Sequence, residues 1–319
     1  MCYSAQIEAD YRKYVKMFGA HMDVREFARL YWERTEGSKA KIPKAMDDAF
    51  RAPRTDEERQ IKEFIDQYNA VQATKLEQDL FKKRTRLADA ERTLQTKITK
   101  AATESKRIAT DKIEASLRRL DDLNRTIPEP RDSRIFPGHY APVLVVENGK
   151  YVVKPMRYQC RIAGKPANYD IKFPGTYNAR RDNLEGFWKP LFGHTHGVLL
   201  VDVFYENVSK AKWEGTLLES HDKDENVVLE FRPSNGQLML VACLWSRWSA
   251  PDLPDLLSFA AITDEPPVEV AAAGHDRCIV PIRPENVEAW LHADALNRDA
   301  LHTILDEKDR PYYEHQLAA

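Results

Sequence analysis

The sequence predicts an α+β fold of mainly antiparallel strands, interrupted by one long helical insertion. Three observations predict it. Two Asn-Gly pairs, Asn148-Gly149 and Asn235-Gly236, sit inside apolar runs. Asn-Gly is the strongest short-range hairpin signal, because both turn residues take positive φ. Residues 54–127 contain no Gly and no Pro over 74 positions, and Pro53 and Pro128 bracket them. Short stretches with apolar residues three and four apart lie before that segment and near the end of the chain.

The first piece carries two amphipathic helices. One has Tyr11, Tyr14, Val15 and Phe18 on a face, the next Val24, Phe27, Ala28 and Tyr31. The insertion follows, with 17 Lys or Arg and 14 Asp or Glu. Its apolar residues recur at Ile61, Ile65, Tyr68, Leu76, Leu80, Leu87, Leu94, Ile98, Ala101 and Ile108, the stripe of a long helix. A single helix of that length would span roughly 110 Å. So narrow a stripe cannot bury the rod alone. The segment either folds back as a helical hairpin or pairs with another chain as a coiled coil. The plainest role for it is a solvated spacer without chemistry.

The second piece is strand-rich. Residues 141–155 read as a hairpin turning at Asn148-Gly149, and residues 226–245 as another turning at Asn235-Gly236. Residues 196–208 and 256–264 read as further strands, and the tail from Pro284 to about Asp306 as two short helices, Pro284 suiting a first helical position. Residues 1–50 and 128–319 are therefore expected to form one globular domain in two pieces, with 51–127 as the inserted charged helical or coiled-coil segment.

With 48 Lys or Arg against 50 Asp or Glu, the chain exerts no global pull on nucleic acid or anionic membrane. Without the insertion the rest carries 31 basic and 36 acidic residues, so any DNA site must be a local groove. No apolar run reaches the length of a membrane span, and the N-terminus lacks a signal-peptide core. Cys2, Cys160, Cys243 and Cys278 form no CxxC, which argues against a disulfide framework and a zinc-cysteine site and fits a reducing cytosol. The expected location is cytoplasmic. Nucleotide-binding motifs of the GxGxxG and GxxxxGK[ST] types are absent.

Four places carry side chains suited to chemistry. Removal of Met1 would leave Cys2 with a free α-amine and a thiol on adjacent carbons. Such a 1,2-aminothiol condenses with an aldehyde to an imine and closes to a thiazolidine; the thiol can alternatively act as an N-terminal nucleophile on an amide. Asn178, Arg180, Arg181 and Asp182 lie within five residues, pairing an amide with two guanidiniums that can clamp phosphate. Glu206 closes an apolar strand, where burial would raise its pKa for proton transfer. His275, followed by Arg277, can shuttle protons near neutrality. Each place alone also reads as an ordinary polar loop, turn or strand end. His194 and His196 are spaced as strand metal ligands are but lack a third partner, and are read as structural.

Taken in order, Met1-Cys2, Asn178-Ala179-Arg180, Asp202 to Glu206, and His275-Asp276-Arg277 make a pattern that resembles the SRAP (SOS-response-associated peptidase) family. Lys189 to Phe192, Ala242 to Trp245 and Ser258 to Thr263 fit it as well. Members of that family attach covalently to abasic sites in single-stranded DNA. The resemblance covers residues 1 to about 25 and about 134 to 292, and the helical insertion lies outside it. It implies a barrel-like bifurcated sheet flanked by helices. It also implies abasic-site crosslinking or lyase activity, with removal of Met1 by the protein itself as peptidase processing. Cys2 would capture the ring-opened deoxyribose as a thiazolidine, and Asn178 would position the sugar or the α-amine. Glu206 would move protons during ring opening and closure, and His275 would assist imine formation and reversal. Arg180 and Arg277 would hold the flanking phosphates. Such a site needs no metal, nucleotide or organic cofactor.

The expected partner is single-stranded DNA carrying abasic sites, in a DNA damage response of bacterial or phage type, with the protein on the nucleoid when DNA-bound. The groove would use Arg157, Arg180, Arg181 and Arg277, with Tyr158, Trp188 or Trp248 stacking on bases. No membrane partner is expected. Residues 54–127 allow self-association, docking of repair proteins or a DNA arm. Two other functions compete: an N-terminal-nucleophile cysteine peptidase or amidohydrolase without a DNA role, and a noncatalytic coiled-coil scaffold.

Overall fold

The computed structural model describes residues 3–215 and 225–318. Cys2, expected to carry the chemistry, lies outside the described residues. The chain divides into two compact units, residues 1–30, 39–52 and 130–319 in one, residues 31–38 and 53–129 in the other.

In the first unit the strands are β1 (Ser4–Ile7), β2 (His21–Met22), β3 (Arg134–Ile135), β4 (Tyr140–Glu147), β5 (Lys150–Tyr158), β6 (Asn178–Arg180), β7 (His196–Ser209), β8 (Asn226–Pro233), β9 (Met239–Ala250), β10 (Leu253–Asp264), β11 (Cys278–Ile279) and β12 (Tyr313–Leu317). β4 and β5 form the hairpin expected at Asn148-Gly149, where φ is 51° and 73°. Five strands then close on themselves: β5 pairs β4, β4 pairs β7, β7 pairs β9, β9 pairs β10, and β10 returns to β5 in parallel. A closed ring removes exposed edges and packs its inward side chains as one core. Gly197 permits the β4–β7 contact, because a Cβ there would lie 2.9 Å from a Val143 methyl and 3.2 Å from the Leu144 carbonyl oxygen.

The second Asn-Gly pair does not make a hairpin. β8 and β9 do not pair with each other; both pair with β7. The 14-residue β7 gives His196–Val201 to β9 and Phe204–Ser209 to β8. The sheet forks there, and β8 continues to β12. Asn235 instead accepts the Gln237 N–H on its side chain at 3.1 Å, and the Gly236 N–H reaches the Pro233 carbonyl at 2.9 Å. The turn is locally satisfied, and the long β7 offers each flanking strand a separate partner.

Helices α1 (Tyr11–Phe18) and α2 (Val24–Thr35) fall where the periodicity predicts them. Asp10 caps α1 by accepting the Arg12 N–H at 2.9 Å, and Gly19 at φ 64° ends it. Tyr14 is fully buried; its hydroxyl donates to the Pro142 carbonyl at 2.8 Å and accepts the Leu200 N–H at 3.0 Å. One phenol thus ties α1 to two barrel strands. Further helices are α3 (Lys44–Asp48), then, after the insertion, α6 (Tyr169–Lys172), α7 (Lys210–Glu214), α8 (Val268–Ala272), α9 (Val287–Leu291) and α10 (Arg298–Asp306). The α9 residue Trp290 is buried and donates its indole N–H to the Gly197 carbonyl at 3.0 Å.

The second unit is a helical hairpin, α4 (Asp56–Thr96) and α5 (Lys100–Asn124). At 41 residues α4 is roughly 60 Å long. Thr55 caps it, accepting the Glu58 N–H at 3.2 Å, while Glu58 accepts the Arg54 N–H at 2.7 Å. Thr99 caps α5 by accepting the Ala102 N–H at 3.1 Å. The seam is narrow because α5 presents Ala102, Ala109 and Ser116, spaced by sevens and all buried. Glu91 and Ser105, which interrupt the apolar stripe, are used across the seam: Lys106 pairs with Glu91 at 3.0 Å and Arg86 donates to the Ser105 hydroxyl at 2.9 Å. Residues 31–38 belong with this unit, where the Arg34 guanidinium lies between the rings of Tyr31 and Tyr68 at 4.9 and 4.4 Å.

Candidate active site

The functional side chains come from the fork in the sheet and the turn after α8. Glu206 is on β7 just beyond the point where the strand leaves β9, and it is wholly buried. Both faces of this stretch are interior: Phe204 stacks on Phe231 at 5.0 Å, and Val203 and Tyr205 are buried opposite. Asp202 reaches outward to Arg232 at 3.0 Å.

Gly274, at φ 100°, turns the chain so that His275 points into the same region. His275 Nε2 lies 3.2 Å from Glu206 Oε2, and Nδ1 lies 2.8 Å from the Arg277 carbonyl oxygen. The Arg277 N–H also reaches Nδ1, at the longer distance of 3.3 Å; the shorter carbonyl contact favours a proton on Nδ1, since two lone pairs would repel. Nε2 and the carboxylate then face each other with one proton to share. Burial, the largest influence, holds His275 below the ordinary imidazole value, against the opposing Arg277 carbonyl bond. Two residues 69 positions apart thus form a buried acid–base pair.

Asn178 lies on β6, which runs parallel to β10 with Asn178 opposite Ala261, and its side chain is buried. The Tyr158 hydroxyl donates to Asn178 Oδ1 at 3.4 Å. Tyr158 stacks on Phe259 at 5.2 Å and meets Tyr177 edge-on at 5.7 Å. Tyr177 in turn meets Tyr3, 43% exposed, at 6.0 Å. β1 pairs with β7 as Ser4 to Tyr205, so the chain enters the fold beside Glu206.

Arg180 and Arg277 are brought together by a residue between them. Asp182 Oδ2 takes Arg180 Nη2 at 2.9 Å and Arg277 Nη2 at 3.3 Å. Chiefly the Arg180 hydrogen bond, and then Arg277, hold the Asp182 carboxyl below its usual value. Two guanidiniums on one carboxylate leave net positive charge beside Asn178 and His275.

The other expected DNA contacts are placed differently. Arg157 donates to the buried Asp170, which also takes Arg161 at 2.8 Å, and Arg161 lies over the Trp248 ring at 4.6 Å. Arg181 pairs with Asp264 at 3.0 Å and with Asp306, and Lys308 joins Asp264 at 2.6 Å. These guanidiniums tie loops to the sheet. Tyr158, Trp188 and Trp248 are each 3% exposed, packed in the interior, so no ring face is open to a base. Local sequence does not show which aromatic faces outward. Tyr3 is the exposed ring nearest Asn178 along the row of Tyr158 and Tyr177, and its only sequence signal is its position next to Cys2. The role of Asp182 as a bridge between two arginines carried no sequence signal, because its second partner is 95 residues away.

His196 is structural. Its Nε2 accepts the Gly193 N–H at 2.8 Å, and its ring packs against Trp290 at 3.9 Å and Phe192 at 5.6 Å. Burial takes its pKa from 6.5 down to about 3. The folded value lies below the unfolded one, so the unfolded chain binds the proton first. Stability is intact above about pH 6.5 and falls with acid, by about 1.4 kcal/mol per unit until the folded group titrates. Urea unfolding at pH 4.5 is therefore expected to show stability about 3 kcal/mol below that at pH 7 from this group. His196→Gln should flatten the dependence; an equally steep loss in that variant would assign it elsewhere.

A closed five-stranded barrel in a forked sheet, with a buried carboxylate–imidazole pair at the fork, defines an α+β protein with an acid–base site. The family model described as SOS response associated peptidase (SRAP) matches residues 99–317, and the chain belongs to that family. The match begins inside the helical insertion, after Cys2. Membership ties the chain to the DNA damage response, and the family's description is of a peptidase. The chain is also similar to crystal structures of three bacterial proteins. One from Bordetella bronchiseptica is 15% identical, covering 61% of this chain and 90% of that one, with a TM-score of 0.46. One from Bacteroides thetaiotaomicron is 14% identical, covering 59% and 78%, with a TM-score of 0.45. A phage-related protein from Bordetella bronchiseptica is 18% identical, covering 61% and 84%, with a TM-score of 0.44. No curated protein matches the chain. No helix among the described residues is long and apolar enough to cross a membrane.

Proposed function

We propose that this protein processes abasic sites in single-stranded DNA by forming a covalent thiazolidine link through Cys2 once Met1 is gone. The buried Glu206–His275 pair carries the reading: thiazolidine chemistry needs a proton donor and acceptor, and little else, beside an aminothiol. The α-amine of Cys2 attacks the C1′ aldehyde of the opened sugar, and water leaves to give an imine. The thiol then adds to the imine carbon, its proton passing to nitrogen, and the five-membered ring closes with no redox change. Glu206 moves protons during ring opening and closure. His275, kept neutral by burial, accepts and returns the proton at the imine step. Asn178, held by Tyr158, orients the sugar or the amine.

Arg180 and Arg277 are the phosphate contacts, because they stand at the surface end of β6 and of the His275 turn and share one carboxylate. Tyr3 replaces Tyr158 and Trp188 as the ring available for stacking. The action is expected in the bacterial cytoplasm or a phage-infected cell, on the nucleoid. The family description favours a second reading, in which the same Cys2 thiol cleaves an amide as an N-terminal nucleophile.

Intact-protein mass spectrometry after incubation with single-stranded DNA carrying one abasic site separates the two. The covalent reading expects a species lacking Met1 and heavier by the DNA. A processed, folded protein without DNA attached, but acylated by a small amide, would reject it in favour of the second.

A further inference from the structure

The charges of the helical hairpin are divided along its length. Residues 82–107, on either side of the turn between α4 and α5, carry nine Lys or Arg and only three Asp or Glu. The rest of residues 54–127 carries eight basic and eleven acidic residues. In that remainder four of the eight cations are paired among the described residues, Arg59 with Asp56, Lys62 with Asp66, Arg118 with Glu114 and Arg125 with Asp122, and carboxylates outnumber cations. At the turn end Lys82, Arg84, Lys97 and Lys100 are exposed and form no ion pair among the described residues. Lys82, Arg86 and Asp89 line a shallow groove between the helices, with Thr85 and Thr93 turned back onto their own helix backbone.

We infer that this end of the hairpin is a sequence-independent binding arm for the phosphate backbone of double-stranded DNA. Lys82, Arg84, Lys97 and Lys100 are its contacts. Unpaired cations cost nothing to release from a partner and are free to displace condensed counterions. Lys82 and Lys97 lie roughly 22 Å apart along the α4 axis, a length over which duplex DNA presents about thirteen charges. A helical rod has no means of reading base edges except by entering a groove. Phe81 is the one large exposed ring near the turn among the described residues, too few for the stacking tract a single strand requires. The inference stands apart from the covalent chemistry at Cys2.

The test is fluorescence anisotropy of the full chain with lesion-free duplex DNA across a salt series. Changing Lys82, Arg84, Lys97 and Lys100 to Ala is expected to weaken binding about 100-fold at low salt and to make the log–log salt slope shallower by about 3 to 4, because each duplex phosphate contact contributes about 0.9. Removing as much charge from the other end, with Arg59, Lys62, Arg118 and Arg119 changed to Ala, is expected to leave both unchanged. Circular dichroism of both variants checks the hairpin. Wild-type binding by the turn-end variant overturns the inference, and so does equal affinity of the native chain for polyglutamate, which would assign the surface to an acidic protein. Adducts on abasic single strands are read in parallel, so their absence with duplex binding intact rejects only the covalent reading.

Discussion

Replacing Glu206 with Gln is expected to slow adduct formation on an abasic single strand by about 10²- to 10⁴-fold, the usual contribution of a positioned acid–base group. Cys2→Ala is expected to abolish it. Gln keeps the size of the side chain, so β7 and its stack of Phe204 on Phe231 should survive. What it removes is the ionisable carboxylate 3.2 Å from His275 Nε2, and with it the capacity to exchange a proton there. His275→Gln should cost a similar factor, and the double variant scarcely more than either single one, because the two act as a unit. The pH profile gives a second readout. In the native protein burial holds His275 below its ordinary value, so the rate should fall only as acid passes below the usual imidazole range. The assay is a single-turnover time course of DNA–protein adducts on denaturing gels, run with a folded-state check by circular dichroism. A full native rate in Glu206→Gln would remove this carboxylate from the chemistry.

Asp170→Ala is expected to destabilise the first unit by about 3–5 kcal/mol, the range for removing one partner of a buried charge cluster. Asp170 is 3% exposed and takes Arg157 on one side and Arg161 on the other. Both guanidiniums are mostly buried, and without the carboxylate they are left as uncompensated cations. The Gln159 side-chain amide donates to the Asp170 backbone carbonyl at 2.8 Å, a bond that Ala keeps, so the loss is confined to the two guanidinium pairs. Urea unfolding followed by tryptophan fluorescence gives the stability directly. A change below about 1 kcal/mol would mean that the pair behaves as a solvated surface ion pair.

Local signals read well where local physics decides. Asn148-Gly149 fixes its hairpin because the turn conformation alone sets the register of β4 and β5. The insertion is helical because a run without Gly or Pro, periodic and capped by Thr55 and Thr99, has no competing local structure. Asn235-Gly236 carries the same local signal with the opposite result, since β7 is long enough to supply separate partners to β8 and β9. The strands β1, β6 and β12 escaped notice because each is short and paired with a distant strand. In the site, residue types were legible and contacts were not. Glu206 and His275 were each plausible acid–base groups, but their hydrogen-bond distance is a product of the fork in the sheet and the Gly274 turn. The rings of Tyr158 and Trp188 look in sequence like any exposed aromatic. Only the packing against Phe259 and Phe187 reveals that they are filled positions.

The pairing of β1 with β7 also sets a clock. Ser4 leaves the ribosome about 200 residues before its partner Tyr205. At about 5–20 residues per second that interval is on the order of 10–40 s. Throughout it residues 4–7 have no β7 strand to dock on. The Glu206–His275 contact forms later still, because His275 emerges a further 69 residues after Glu206, so the strand that opens the fold waits longest for its place beside that pair.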